Sequence, residues 1–279
     1  MNVRIKKINN FNELNILIES LEDFYFLAGG TDILIKIKNS NLSTNLIDIS
    51  SLKELKGIEE TPNDIIIGAL TNFSEIVNSY LIQKYAKVLS MACSKIGSPQ
   101  IRNQGTIGGN IANASPAGDS IPALFVLESK LVLQKGEKTH EVKIEDFFKG
   151  VGKTILEKGE LITKIIIRKQ PEKKGCFFKL GQRKSLAISK VSLALCADFD
   201  NGILNDIKIA LGAVSPTVIR ALKTENFLKN KKLEKNLIEQ ASTIIQTESK
   251  AITDIRSTEE YRNEMTGILL KKALGKIIS

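Results

Sequence analysis

The chain has 279 residues, 42% of them hydrophobic and 25% charged, which suits one large domain or two to three smaller ones of ordinary globular composition. Its formal charge of +9 permits nucleic-acid binding, but 5% aromatic content with no Trp argues against a base-stacking platform. Three separated cysteines and a single histidine argue against zinc, iron–sulfur, His-based metal and Ser-His-Asp sites, and an odd number of thiols against a secreted disulfide framework.

Leu14, Leu17, Ile18 and Leu21 recur at helical spacing and predict a helix over 11–22. Phe24 to Ala28 is a short apolar run ending at Gly29-Gly30, and Ile33 to Ile37 is another: strand, glycine turn, new element. NLIDIS (45–50) and IIIGAL (65–70) read as short strands. Helical spacing returns between 74 and 96, through Ile76, Val77, Tyr80, Leu81, Val88, Leu89 and Ala92. ALFVLESKLVLQ (123–134) and ELITKIIIRK (160–169) read as strands, with His140 between them on a hairpin edge as a surface residue. Pro171 and the charges after it mark a boundary. CFFKLGQ, VSLALCADFD and DIKIALGAV are closely spaced strands, and 218–245 and 258–276 are helical by spacing, with Lys229, Lys231, Lys232 and Lys235 on a solvated face. Strands followed by helices predict a separate α+β unit. The N-terminus has no apolar core bounded by a cleavage site, and no run approaches roughly 18 uninterrupted apolar residues, so a cytoplasmic protein without a membrane span is expected.

Two glycine-rich stretches carry the chemistry. In LAGGTDILIK (27–36), Gly29 and Gly30 follow an apolar run directly. They can take positive φ and expose consecutive backbone N–H groups, a concave anion site suited to phosphate. The alternative is a tight turn with Thr31 or Asp32 capping the next element. In TIGGNIANASPAGD (106–119), Gly108 and Gly109 remove side chains from one wall. Thr106, Asn110 and Ser115 supply uncharged hydrogen-bonding groups, and Asp119 a carboxylate suited to hydroxyls. That set suits a phosphorylated, ribose-like ligand; a structural Gly/Asn loop is the plainer alternative. Neither stretch is GxGxxG, and GxxxxGK followed by Ser or Thr is absent, so the Rossmann and P-loop readings lose.

Together with IGSPQIRNQ before the second stretch, SIPAL after it, GELITKIII and CFFKLGQRKSLAISKVSLAL, these motifs resemble the FAD-binding subunit of the molybdenum hydroxylases, the xanthine dehydrogenase and carbon monoxide dehydrogenase family. The similarity runs in order over almost the entire chain. It implies an α+β chain of the vanillyl-alcohol-oxidase (PCMH) type: a FAD-binding domain over 1–170, with α/β subdomains of about 1–58 and 59–170, and a C-terminal α+β domain over 171–279. Carried onto matching positions, the backbone amides of Ala28 to Asp32 would cradle the pyrophosphate. Thr106, Gly109, Asn110 and Ser115 would line its other side and the ribityl chain, and Asp119 would reach a cofactor hydroxyl. Leu161 and Ile162 match the apolar pair flanking adenine or the flavin edge. Lys179 matches a lysine that reaches toward the isoalloxazine, a candidate flavin-tuning residue. Leu27, Gly108 and Ile96 belong to the same expected set, although Ile96 stands where some relatives carry an aromatic. Ala187 occupies a position where many members carry an acid, which leaves Arg183 to another partner or a structural salt bridge.

The resemblance further implies a relay. Hydroxylation occurs at molybdopterin on a large subunit, electrons pass two 2Fe–2S clusters on a small one, and FAD here delivers them to NAD⁺. Two such clusters need about eight cysteine ligands, and this chain has three, so the donors are expected on partner subunits, in a dimer of heterotrimers. Xanthine or a related purine is the expected substrate of the complex. Carbon monoxide, nicotinate and aldehyde dehydrogenases are alternatives, as is a UDP-N-acetylmuramate-reductase-like FAD enzyme. A flavin-free scaffold and a basic nucleic-acid module are the readings from other classes.

Overall fold

The computed structural model describes residues 3–40, 43–183 and 185–278. It opens with β1 (Val3–Lys7), α1 (Phe11–Ser20), β2 (Phe24–Leu27), α2 (Ile33–Ser40) and β3 (Thr44–Asp48). Strands separated by helices of this length pair in parallel, and β3 lies between β1 and β2, parallel to both. Asn10 caps α1, its side chain accepting from the Glu13 N–H at 2.9 Å, and Leu14 turns inward. The apolar run after the first diglycine is α2, which buries Ile37. Ile8, Leu14, Ile47, Leu52 and Leu55 form the local core, joined by Leu70 and Leu161 from later in the chain.

The middle of the chain holds β4 (Ile58–Glu60), β5 (Asp64–Gly68), α3 (Phe73–Asn78), α4 (Tyr80–Tyr85), α5 (Lys87–Ser94), α6 (Pro99–Gln104), α7 (Ile107–Asn113), α8 (Ser120–Val126), β6 (Lys130–Lys135), β7 (Lys138–Lys143), α9 (Ile144–Phe147), β8 (Phe148–Gly150), β9 (Lys153–Thr154) and β10 (Leu161–Arg168). Its antiparallel sheet runs β4-β5-β10-β6-β7. The stretch 123–134, expected as a strand, divides between the end of α8 and β6. Every residue of α8 is buried, so no polar alternation betrays its period, and Pro122 is tolerated in the first turn. His140 lies on the edge strand β7, half exposed, its Nδ1 3.7 Å from Glu160 Oε1.

The last part contains β11 (Lys174–Gly181), β12 (Ser189–Asp200), β13 (Ile203–Gly212), β14 (Ile219–Arg220), α10 (Leu222–Leu228), β15 (Lys231–Lys232), α11 (Lys235–Gln246) and α12 (Glu259–Ile278). The sheet order is β11-β12-β13-β14, with β15 also on β13. Successive strand residues face opposite sides: Phe177, Ala194, Cys196 and Ala210 enter the middle core, while Cys176, Leu193, Leu195 and Leu211 pack with α11 and α12 residues. The helix expected over 218–245 is interrupted twice. Ile219 and Arg220 pair with Leu211 and Ala210, and Lys231 and Lys232 with Leu204 and Ile203; sheet pairing overrides helical spacing there. Lys229, Lys231, Lys232 and Lys235 are exposed as expected, but they do not share one helix face. No helix among the described residues is long and apolar enough to cross a membrane.

Candidate functional site

The two glycine stretches meet across one cleft. A Cβ on Gly29 would overlap the carbonyl oxygen of Gln104, and Gly30 has φ +73°. Only glycine lets this loop press against the backbone between α6 and α7. On the other side Thr106 caps α7, its Oγ1 accepting from the Gly109 N–H at 3.2 Å. The Gly108 N–H donates to the Ala69 carbonyl at 2.8 Å, and a Cβ there would come within 2.6 Å of the Ala69 Cβ. Gly108 thereby lets α7 sit against the end of β5.

Between the loops lies a cavity of about 410 Å³. Ala28 to Asp32 and the group Thr106, Gly108, Gly109 and Asn110 line it, with Leu161 and Ile162 of β10 adding apolar surface. A second cavity of about 640 Å³ adjoins it, and Thr31, Asp32, Ile96, Ile101, Asn110 and Asn113 belong to both. Ser115, Asp119, Lys179 and Ala187 line the second. Both volumes fall within the roughly 300–1,000 Å³ of ligand sites. Of the expected set, Leu27 alone lines neither cavity; it remains in β2, paired with Asp48.

The first cavity has the character of an anion cradle. The earliest bonds of α2 run from the Leu34 N–H to the Gly30 carbonyl at 3.3 Å and from the Lys36 N–H to the Asp32 carbonyl at 3.0 Å. The amides ahead of Leu34 therefore stand at a helix start, where backbone donors lack intrahelical partners and the helix dipole favours negative charge.

The second cavity holds a buried charge pair. Asp119 is 5% exposed, and both its oxygens are engaged: Oδ2 accepts from Lys179 Nζ and Oδ1 from Ser189 Oγ, each at 2.5 Å. Burial pushes the Asp119 carboxyl up from its ordinary value, against the opposing pull of Lys179 and Ser189. Lys179 Nζ also donates to the Lys95 carbonyl at 3.2 Å. Protein donors thus engage both oxygens of Asp119, the residue expected to reach a cofactor hydroxyl. Asn110 Oδ1 accepts from Ser120 Oγ at 2.7 Å and Ser115 Oγ from the Ala117 N–H at 3.3 Å, which orients both side chains. Of the two alternatives for Arg183, another partner or a structural salt bridge, the structure shows the former: it donates to the carbonyls of Ser185 and Leu186.

Several lining residues escaped the sequence reading. Tyr25, Lys36, Phe73 and Glu160 line the first cavity, and Ser189, Lys250, Asp254, Arg256 and Arg262 the second. Tyr25 stands just before the first glycine motif and Lys36 is its last residue, so both lay within reach of that signal. The residues from 250 to 262 carry no glycine motif; tertiary packing alone brings them to the cleft.

Backbone donors, neutral hydroxyls and amides, apolar β10 residues and one held ammonium make a site for an extended phosphorylated molecule. FAD fits it: the glycine positions leave a cradle that Cβ atoms would fill, and the cleft continues past the anion cradle into the second cavity.

Comparison with known proteins agrees. Residues 2–169 match the family described as the FAD binding domain in molybdopterin dehydrogenase, and residues 176–277 the CO dehydrogenase flavoprotein C-terminal domain. The chain is 34% identical to the nicotinate dehydrogenase FAD-subunit of Eubacterium barkeri, covering 90% of this chain and 87% of that one. It is 30% identical to the xanthine dehydrogenase FAD-binding subunit of Escherichia coli O157:H7, covering 91% and 88%. A carbon monoxide dehydrogenase structure from Hydrogenophaga pseudoflava, lacking the Mo-pyranopterin moiety of its cofactor, superposes with a TM-score of 0.94 at 29% identity over 99% of this chain and 96% of that one. With both halves matched, the chain belongs to the FAD-binding subunits of the molybdenum hydroxylase family.

Proposed function

We propose that the chain holds FAD along the two joined cavities and serves as the outlet of a molybdenum hydroxylase, with electrons entering from a 2Fe–2S subunit and leaving to NAD⁺. The observation that carries this reading is the close approach of Gly29 to Gln104 and of Gly108 to Ala69, which forms a backbone-lined trench between the two motifs. When bound, FAD supplies one-electron acceptance from iron–sulfur donors and two-electron delivery as hydride. The chain's own residues bind and orient it. Amides ahead of Leu34 hold the pyrophosphate; Thr106, Gly109, Asn110 and Ser115 line the neighbouring polar stretch; Leu161 and Ile162 offer apolar surface to a ring. The Lys179 ammonium favours negative charge in the second cavity.

Among the described residues no group of three or more His, Cys, Asp or Glu is placed to hold a metal. In this reading the clusters and molybdopterin reside on a small and a large partner subunit, in a cytoplasmic dimer of heterotrimers. For the complex the reading is a xanthine or related purine dehydrogenase. The names of the relatives support nicotinate and carbon monoxide equally.

The test is an absorption spectrum of the purified chain after adding FAD and removing the excess, with release and identification of the bound molecule. Stoichiometric FAD is expected. A protein that stays colourless even with its partner subunits present would leave the flavin-free scaffold as the reading.

A further inference from the structure

We propose that Ser189 is a positioning residue of the cofactor site: its hydroxyl locks the Asp119 carboxylate, so that Lys179 is held in the wall of the second cavity with one donor left for the bound molecule. This rests on the cofactor reading above.

Strand register decides where Ser189 points. Along β11 and β12 the pairs run Lys179 with Ser192 and Leu180 with Val191, so an unbroken ladder would set Gly181 against Lys190. Instead Gly181 pairs with Ser189. Opposed residues share a sheet face, and a slip of one residue exchanges faces. The extra residue at this bulge therefore turns Ser189 onto the face that carries Lys179, where a regular strand would have sent it to the opposite side. The hairpin is tight there, since a Cβ on Gly181 would come 2.6 Å from the Ala187 Cβ. Arg183 secures the loop by donating to the carbonyls of Ser185 and Leu186.

The bulge delivers a hydroxyl that is 2% exposed to a carboxylate that is 5% exposed. Ser189 fixes Oδ1 of Asp119, and Lys179 takes Oδ2. Hydrogen bonds to a buried charge are short and directional, so fixing one oxygen fixes the other. An ammonium carries three donors. Asp119 and the Lys95 carbonyl engage two, and Lys179 lines the cavity with its side chain 11% exposed. The third donor is the one available to an acceptor atom of the bound molecule.

The experiment uses the full chain loaded with FAD, comparing wild type with Ser189→Ala, Ser189→Thr, Lys179→Met and the double variant Ser189→Ala/Lys179→Met. The readouts are FAD affinity, the visible flavin spectrum and the affinity of sulfite for the bound flavin, with unfolding of the FAD-free chains as a control. Ser189→Ala and Lys179→Met each lower sulfite affinity by about tenfold and shift the flavin bands, while the double variant loses no more than Lys179→Met alone. Ser189→Thr, which keeps the hydroxyl, retains wild-type values. Where the alanine chain does not fold, Ser189→Cys, a weak donor of similar size, takes its place. A Ser189→Ala protein with wild-type spectrum and sulfite affinity overturns the proposal, as do single losses that simply add. Wild-type protein that takes up no FAD overturns the cofactor reading and this proposal with it.

Discussion

Arg220 grips Glu225 with two prongs, Nε and Nη2 each 2.7 Å from a separate carboxylate oxygen. Glu225 is 7% exposed and also accepts from the Ile209 N–H at 2.7 Å, while Arg220 Nη1 reaches Glu145 at 2.8 Å. One guanidinium therefore joins α9, β14 and α10. Replacing it by an apolar chain strands a buried carboxylate. Arg220→Met is expected to cost about 3–5 kcal/mol in denaturant unfolding. Arg220→Lys recovers part of this, because an ammonium lacks the planar fork.

At Gly108 the cost is steric. Gly108→Val places a branched side chain where a Cβ alone would already lie 2.6 Å from the Ala69 Cβ. A loss of about 1–3 kcal/mol is expected on overpacking grounds, together with a drop in FAD uptake as α7 moves off β5. Gly275, exposed in α12 with nothing near its would-be Cβ, makes the opposite case. Gly275→Ala is expected to stabilise the chain by about 0.5–1 kcal/mol in thermal or denaturant unfolding.

The thiols give a chemical check on burial. Cys93, Cys176 and Cys196 are all buried, and loss of solvation pushes Cys176 up to about 12 and Cys196 up to about 11, with Cys93 raised as well. Thiolate is the reactive form. A disulfide reagent at mildly alkaline pH is expected to modify none of the three in the folded chain and all three after denaturation. Fast reaction of any one in the native protein contradicts the packing of that strand or helix.

Acid acts on the segment after α11. The Asp254 carboxyl is held below its ordinary 3.8, first by the Arg256 N–H and then by Arg262, whose Nη2 lies 2.6 Å away. A lowered folded value means the stabilisation is complete above the unfolded pKa and is lost as pH falls through the folded one. The thermal midpoint of wild type is thus expected to fall more steeply than that of Asp254→Asn between about pH 5 and about pH 3. Parallel curves for the two proteins refute this assignment.

The two glycine loops were legible because glycine leaves a mark that survives without a structure. Gly29 and Gly108 sit where backbone presses on a neighbouring segment, and Gly30 takes a φ of +73° that favours glycine. Strands such as β10 and β12 were legible because long β-branched or apolar runs have few other uses. The helix α8 was not, since a fully buried segment shows no contrast between its faces. Nor was the role of Ser189, because a single bulge decides which way it points and no composition encodes a bulge. At Asp119 a carboxylate in a motif announces a hydrogen-bond acceptor, but the donors Lys179 and Ser189 that engage it lie 60 and 70 residues later, in the C-terminal sheet.

The two cavities also differ in when they can exist. Every residue lining the first has been synthesised once Ile162 emerges, whereas the second waits for Arg262, 100 residues further on. At translation rates of about 5–20 residues per second, the residues of the second cavity are complete about 5–20 s after those of the first. The first cavity waits as well, though not as long: the core behind it takes in Phe177, Ala194, Cys196, Ala210 and Val218, so its walls gain their full support only after β13 has been made.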